Sequence, residues 1–92
     1  MITIHQIGDG DPLEFEAVIE EPNGTSRHRV TLTRAEAARL GGGAAPERLV
    51  QAAFQFLLER EPKEAILARF ELKTIARYFP EFERELPKYL KG

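Results

Sequence analysis

The spacing of the apolar residues changes near the middle of the chain, and this change constrains the fold more than any other feature. Before Pro46, apolar and polar residues alternate, as at Phe15, Ala17 and Ile19, which is typical of strands with one buried face. After Pro46, apolar residues recur at the three- and four-residue spacing of helices. The 92 residues suit one compact domain rather than two. We therefore expect a single α+β domain over 1–92, mainly strands in 1–33 and mainly helices in 34–92.

The N-terminal part predicts a small antiparallel sheet of about three strands. Met1 to Ile7 forms the first strand, and residues 13–33 form a central hairpin whose turn lies within Pro22-Asn23-Gly24-Thr25. A three-residue loop would mix charged and core residues on both faces of the hairpin. A two-residue Asn-Gly turn or a four-residue loop avoids this and gives three apolar-face pairs: Phe15 with Leu32, Ala17 with Val30, and Ile19 with His28.

The C-terminal part predicts helices separated by glycine and proline. Thr33 and Glu36 have the spacing of a capping box at the start of a short helix, which ends at Gly41-Gly42-Gly43. The next helix, from about 46 to 60, is apolar over more than the usual third of its circumference, so we expect it to be central. Shorter helices follow, the first over 64–70. They are interrupted at Pro62, Pro80 and Pro87.

Composition and charge exclude several classes of function. Fifteen acidic and thirteen basic residues give a net charge of −2, which provides no general attraction to nucleic acid or to an anionic membrane. The chain has no cysteine, which excludes disulfides, thiolate metal sites and cysteine nucleophiles. Apolar runs such as 56–58 are far too short to span a membrane, and no signal-peptide pattern is present. We expect a cytoplasmic location and no membrane association.

Candidate catalytic and metal-binding residues are few. His28 lies on the apolar face of the hairpin, where a structural role is expected. A metal site formed with His5 and Asp9 or Asp11 is disfavoured, because this set of residues is not specific and the Gly-Asp-Gly-Asp loop lacks the third acidic position and the distal glutamate of a calcium loop. Ser26 precedes His28 by two strand positions, about 6.6 Å, so local structure alone does not assemble a nucleophile and a base. We expect no cofactor, no metal and no catalytic activity.

Aromatic residues in and after the central helix predict a surface for a protein partner or for a homodimer. Two short, proline-interrupted helices have little capacity to bury every such ring in so small a domain. The alternative is that the rings cover the sheet and belong to the core. The candidate partner surface comprises Phe56, Tyr78, Phe79, Phe82 and Tyr89.

Four arginines give an alternative from another class, a nucleic-acid-associated regulator. They are Arg27, Arg29, Arg34 and Arg39, of which the first two share the solvent face of the hairpin. Glutamates on the paired strand make that face mixed in charge, and no aromatic residue is interleaved to stack on bases. Nucleic acid is therefore the weaker alternative. The third alternative is a small-ligand-binding domain or an enzyme.

Several motifs in the C-terminal half resemble those of a family of small uncharacterised bacterial proteins. The matching segments are Leu57-Leu58-Glu59-Arg60-Glu61-Pro62, Ile66-Leu67, Phe70-Glu71-Leu72, Ile75 and Tyr78-Phe79-Pro80-Glu81-Phe82-Glu83. The resemblance covers mainly residues 47–83, and its most distinctive element is Tyr78-Phe79-Pro80-Glu81-Phe82. It implies a small bacterial protein and assigns no function and no site residue.

Overall fold

A computed structural model describes residues 1–91, which form a four-stranded mixed sheet and four α-helices. The strands are β1 (Ile2–Gly8), β2 (Leu13–Glu21), β3 (Gly24–Leu32) and β4 (Arg69–Glu71), in the order β1-β2-β3-β4, with β4 parallel to β3 and the other pairs antiparallel. The helices are α1 (Arg34–Gly41), α2 (Pro46–Leu58), α3 (Ile75–Tyr78) and α4 (Phe82–Lys91). Short 3-10 turns cover Lys63–Ala65 and Leu72–Thr74. The predicted α+β class is confirmed, with one more strand than expected.

The β2–β3 hairpin pairs in a register two residues away from the predicted one. Phe15 lies opposite Val30, not Leu32, and Ala17 lies opposite His28. The three predicted apolar pairs are therefore wrong. The same side chains still face the core, because a shift of two residues keeps each side chain on its face of the sheet.

The turn of this hairpin explains the difference in register. Glu21 pairs with Gly24, so the turn residues are Pro22 and Asn23 rather than Asn23 and Gly24. A hairpin turn centred on Asn-Gly needs positive φ at both residues, whereas every positive φ in residues 1–91 belongs to a glycine. Proline favours the first central position of a turn, and Gly24 follows with φ at 142°.

The predicted capping box and the start of the central helix are confirmed. The Glu36 amide donates to the Thr33 hydroxyl oxygen at 3.0 Å, and the Thr33 amide donates to the Glu36 carboxylate at 2.8 Å. α1 is followed by Gly42 in the left-handed conformation, with φ at 57°. Pro46 is the first residue of α2, where a missing N–H has no cost to the helix.

α2 lies between the sheet and the C-terminal helices, which explains its broad apolar surface. The Phe54 ring faces the sheet, 5.6 Å from the His28 ring and 5.9 Å from the Phe70 ring. Phe56 is two residues further on, about 200° around the helix axis. Its ring meets Phe82 edge-on at 5.1 Å on the opposite side. Phe54 and Phe56 are both fully buried, so the central position predicted for this helix is confirmed.

The helix predicted over 64–70 is wrong, because the segment begins in a 3-10 turn and its last two residues, Arg69 and Phe70, belong to strand β4. The Arg29 amide on β3 donates to the Ala68 carbonyl at 2.8 Å, and Phe70 lies beside Val30 in the parallel pair. β3 offers an unpaired edge at this point, and hydrogen bonding to it outweighs the helical spacing of Ile66, Leu67 and Phe70.

The predicted breaks at Pro62 and Pro80 are confirmed, whereas the break at Pro87 is wrong. α2 ends before Pro62, and Pro80 separates α3 from α4. α4 continues through Pro87 without interruption. Phe82 and Leu86 are fully buried on this helix, and their packing offsets the one backbone hydrogen bond that proline removes.

Truncation of either phenylalanine on α2 should destabilise the protein strongly. We expect Phe54→Ala and Phe56→Ala each to lower the free energy of unfolding by about 3–5 kcal/mol, because each leaves a cavity in a buried cluster. Gln55→Ala, between them, should cost less than about 1 kcal/mol. Urea denaturation measures all three, and a cost below about 1 kcal/mol for Phe56→Ala would contradict burial of α2 on both sides.

Candidate protein-interaction groove

The five aromatic residues predicted to form a partner surface do not share one. Phe56 and Phe82 are fully buried, so they are core residues and are removed from the candidate surface. Phe79 and Tyr89 are half-buried, with their rings 5.8 and 5.9 Å from Phe56. Tyr78 is the exposed member, with 68% of its surface accessible. The rings converge on Phe56 because the side of α2 away from the sheet must also be covered.

Arg60 holds this aromatic cluster within the chain. Its guanidinium lies 3.6 Å from the centroid of the Phe56 ring, and it donates to the Tyr89 hydroxyl at 3.3 Å and to Glu81 at 3.2 Å. The Tyr89 hydroxyl donates in turn to Glu59 at 2.7 Å. Hydrogen bonds to Tyr89 and Glu81 raise the pKa of Arg60. The Tyr89 hydroxyl thus accepts one hydrogen bond and donates another within its own chain.

The Arg60–Glu81 pair should make part of the stability depend on pH. The backbone amide of Glu81, and then Arg60, hold the pKa of the Glu81 carboxyl below its ordinary value of 4.5. A lowered pKa contributes stability above about pH 4.5, and this contribution is lost as the pH falls through the pKa of the folded state. We expect wild type to exceed Glu81→Gln in stability at pH 7, and the difference to shrink below pH 4.5.

Urea denaturation of both proteins between pH 7 and pH 3 measures this difference. Glu20→Gln is the control for loss of a carboxylate, since the Glu20 side chain forms no ion pair within the described range 1–91. If the difference in unfolding free energy between wild type and Glu81→Gln stayed constant from pH 7 to pH 3, the ionised form of Glu81 would not be specifically stabilised in the folded protein.

An apolar groove of about 360 Å³ lies next to Tyr78. Leu57, Ile66 and Ile75, all buried, form its floor, while Leu67 and Tyr78 stand at its rim. Half of the Leu67 surface is accessible to solvent. The groove is not predictable from the sequence, because Ile66 and Leu67 fit a helical spacing that favours a different local structure.

Glu61 is a charged residue in the lining of this groove. It follows α2, and its amide is bonded to the Leu57 carbonyl at 2.9 Å, which fixes its backbone. Its side chain takes part in no hydrogen bond or ion pair to any residue between 1 and 91. A carboxylate at an apolar groove can therefore pair with a cation on whatever binds there.

One wall of the groove is fixed by Lys63, whose side chain is almost completely buried. Its ammonium donates to Asn23 at 3.2 Å, lies 3.3 Å from a Glu21 carboxylate oxygen and also donates to Glu64. The hydrogen bond to Glu64 raises the pKa of Lys63 against the opposing effect of burial. This cluster ties the segment before β4 to the β2–β3 turn.

His28 fixes the same wall from the sheet. It is 3% exposed, with Nδ1 2.8 Å from the Leu67 carbonyl oxygen and Nε2 2.8 Å from the Ser26 hydroxyl. The carbonyl can only accept, so Nδ1 carries the proton and Nε2 accepts from Ser26. The predicted core position of His28 is confirmed.

The Ser26–His28 hydrogen bond overturns the expectation that local structure alone does not bring these two side chains together. Both project from one face of β3, and their side chains converge although their backbone positions are two residues apart. The group that orients the imidazole is a neutral carbonyl, that of Leu67, instead of the carboxylate that stabilises an imidazolium in hydrolases. The arrangement serves to hold Leu67 at the rim of the groove.

Loss of the His28 ring should release this wall. We expect His28→Leu to lower the free energy of unfolding by about 1–3 kcal/mol, because the Leu67 carbonyl and the Ser26 hydroxyl lose their partner. Ser26→Ala keeps the bond to Leu67 and should cost only about 0.5–1.5 kcal/mol. Denaturation measures both variants. If His28→Leu were as stable as wild type, the hydrogen bond from His28 to the Leu67 carbonyl would not be what fixes this wall of the groove.

Two of the four predicted nucleic-acid-binding arginines lie on the uncovered face of the sheet. Arg27 is 3.5 Å from Glu16, and Arg29 is 3.5 Å from Glu14, so each guanidinium is accompanied by a carboxylate. The face is therefore mixed in charge, as the sequence indicates.

The other two arginines serve contacts elsewhere. Arg34 donates to Asp9 and to backbone carbonyls of the β1–β2 loop, and so attaches this loop to α1. Arg39 donates to Glu83 on α4 at 2.9 Å, and this hydrogen bond lowers the pKa of Glu83. The four arginines thus occupy three separate places and do not form one basic surface.

The metal site considered from the sequence is not assembled. His5 lies on the uncovered face of the sheet opposite Glu16, whereas His28 lies on the face covered by α2. Among residues 1–91 there is no cluster of three or more histidine, aspartate or glutamate side chains arranged to hold a metal ion. The helices in this range also fall short of the length and apolar character of a membrane span.

Comparison with known proteins gives no relative. No protein-family model, no curated protein and no solved structure matches the chain. The resemblance of residues 47–83 to a family of small bacterial proteins stays a prediction from sequence.

Proposed function

We propose that this chain is a noncatalytic protein-interaction domain whose groove binds an apolar segment of a partner protein. The observation that carries the proposal is the pair Leu67 and Tyr78, 50% and 68% exposed, at the rim of a 360 Å³ apolar groove. Its volume lies in the range of roughly 300–1,000 Å³ that binding pockets occupy. Of the five aromatic residues predicted from the sequence, Tyr78 and Phe79 line this groove, and Phe70 is a third aromatic residue in its lining.

The exposure of Leu67 has a structural cause that supports a role in binding. Buried His28 and Lys63 hold the segment that carries it, so the side chain is presented from a fixed backbone. Ordering these residues in the free protein lowers the entropic cost of binding a partner. Exposed apolar surface of this kind is typical of interaction sites.

The charge at the groove indicates what the partner carries. Glu61 supplies a carboxylate beside the apolar floor, and its side chain is unpaired within residues 1–91. A partner segment with one or two large apolar side chains and a nearby lysine or arginine would complement both features. The four paired arginines give less support to a nucleic-acid-associated function. We also propose a cytoplasmic location, which a small domain without cysteine suits.

Selection from a displayed peptide library tests the proposal. The immobilised protein is the bait, and the double variant Leu67→Asp/Tyr78→Asp is used for counter-selection. We expect the retained peptides to combine apolar residues with a basic residue. Their affinity should fall at least about tenfold, or 1.4 kcal/mol, in Leu67→Ala and Tyr78→Ala, and less in Glu61→Gln.

Ile7→Ala is the matched control, because Ile7 is also an exposed aliphatic residue but lies on β1, away from the groove. Peptides should bind this variant as they bind wild type. Failure to select any peptide that distinguishes wild type from the double variant would refute a peptide-binding groove. Selected peptides that Ile7→Ala weakens equally would place the interaction elsewhere.

A further inference from the structure

β1 has an open edge. It is the first strand in the sheet order and pairs with β2 on one side. On its other side, the part of the chain that the structure describes provides no backbone hydrogen-bonding partner for the strand. An open edge of seven residues is a template for pairing with another strand.

The hydrogen bonds of Met1 establish which backbone groups point outward. The Met1 nitrogen donates to the Glu20 carbonyl at 2.7 Å, and the Glu20 amide donates to the Met1 carbonyl at 2.8 Å, so these residues form a hydrogen-bonded pair. Such pairs alternate along an antiparallel ladder. The N–H and C=O groups of Ile2, Ile4 and Gln6 therefore point away from β2, toward the open edge.

This edge lacks the features that protect most natural edges. Residues 2–8, ITIHQIG, contain no lysine, arginine, aspartate, glutamate or proline. Charges, prolines and very short edge strands are the usual means of preventing edge-to-edge pairing. The opposite edge of the sheet has such protection, because β4 is three residues long and carries Arg69 and Glu71.

We propose that β1 pairs antiparallel with β1 of a second copy of this chain, about a twofold axis at Ile4. Ile4 then lies opposite Ile4 of the second copy, and Ile2 opposite its Gln6. This register makes all three outward-facing residues of each strand members of hydrogen-bonded pairs. Each pair exchanges two hydrogen bonds, roughly six in all. The two sheets become one continuous sheet.

The same register covers exposed apolar side chains. The large hydrophobic residues exposed within residues 1–91 are Met1, Ile7, Leu67 and Tyr78. Leu67 and Tyr78 line the groove. Met1, which directly precedes β1, is 81% exposed, and Ile7, near the other end of β1, is 45% exposed. Pairing about Ile4 sets Met1 of one copy opposite Ile7 of the other. β1 itself bears no charged side chain, so pairing with a second β1 sets no like-charged side chains of this strand opposite each other.

A charge-pair experiment tests both the dimer and its register. In the proposed register Thr3 lies opposite His5 of the second copy, with both side chains on the uncovered face. Thr3→Lys/His5→Lys should therefore place like charges opposite each other and weaken dimerisation at least about tenfold. Thr3→Glu/His5→Lys should place opposite charges there and restore the dimer constant to within about threefold of wild type, or improve it.

Sedimentation equilibrium over a concentration series gives the dimer constants, and urea denaturation checks that both variants stay folded. Amide hydrogen exchange should become slower at Ile2, Ile4 and Gln6 as concentration rises. A wild-type protein that stays monomeric up to about 1 mM overturns the proposal, even if β1 binds a strand of another protein. A dimer insensitive to both double variants, or one lost on Tyr78→Ala, also overturns it. Peptide binding at the groove is a separate property, so either proposal can fail without the other.

Discussion

Burial of α2 on two opposite sides is the constraint on which the rest of this structure depends. A helix that faced only the sheet would need apolar residues along one stripe, but Phe54 and Phe56 point to opposite sides and both are fully buried. The sheet covers the first, and the rings of α4 and the α3–α4 connection cover the second. The domain thus has three layers in spite of its small size.

This constraint also decides which aromatic residues remain available for binding. Phe82, Phe79 and Tyr89 cover Phe56, and Arg60 links Tyr89 to Phe56. The apolar residues that stay exposed next to this cluster, Leu67 and Tyr78, lie at the junction of α2, the segment before β4, and α3. The groove with Tyr78 at its rim occupies that junction. The proposed interaction site thus exists because the aromatic residues that bury Phe56 do not extend over this junction.

The sequence predicts those features that local residues determine. The α+β class, the capping box at Thr33, the start of α2 at Pro46 and the break at Pro80 all depend on residues a few positions apart. β4 is different, because it forms through long-range hydrogen bonds. The Arg29 amide donates to the Ala68 carbonyl, and His28 bonds to Leu67, 39 residues away. Local spacing favours a helix there, and this long-range pairing overrides it. The groove depends on β4 and could not be predicted for the same reason.

The most direct test of this account is the accessibility of its aromatic and aliphatic side chains to solvent. NMR relaxation of the protein in the presence of a soluble gadolinium chelate measures this accessibility for each ring and methyl group. We expect strong broadening of the Tyr78 ring and the Leu67 methyl groups, and little effect on the rings of Phe56 and Phe82. Broadening of Phe56 or Phe82 equal to that of Tyr78 would contradict the two-sided burial of α2 and the position of the groove.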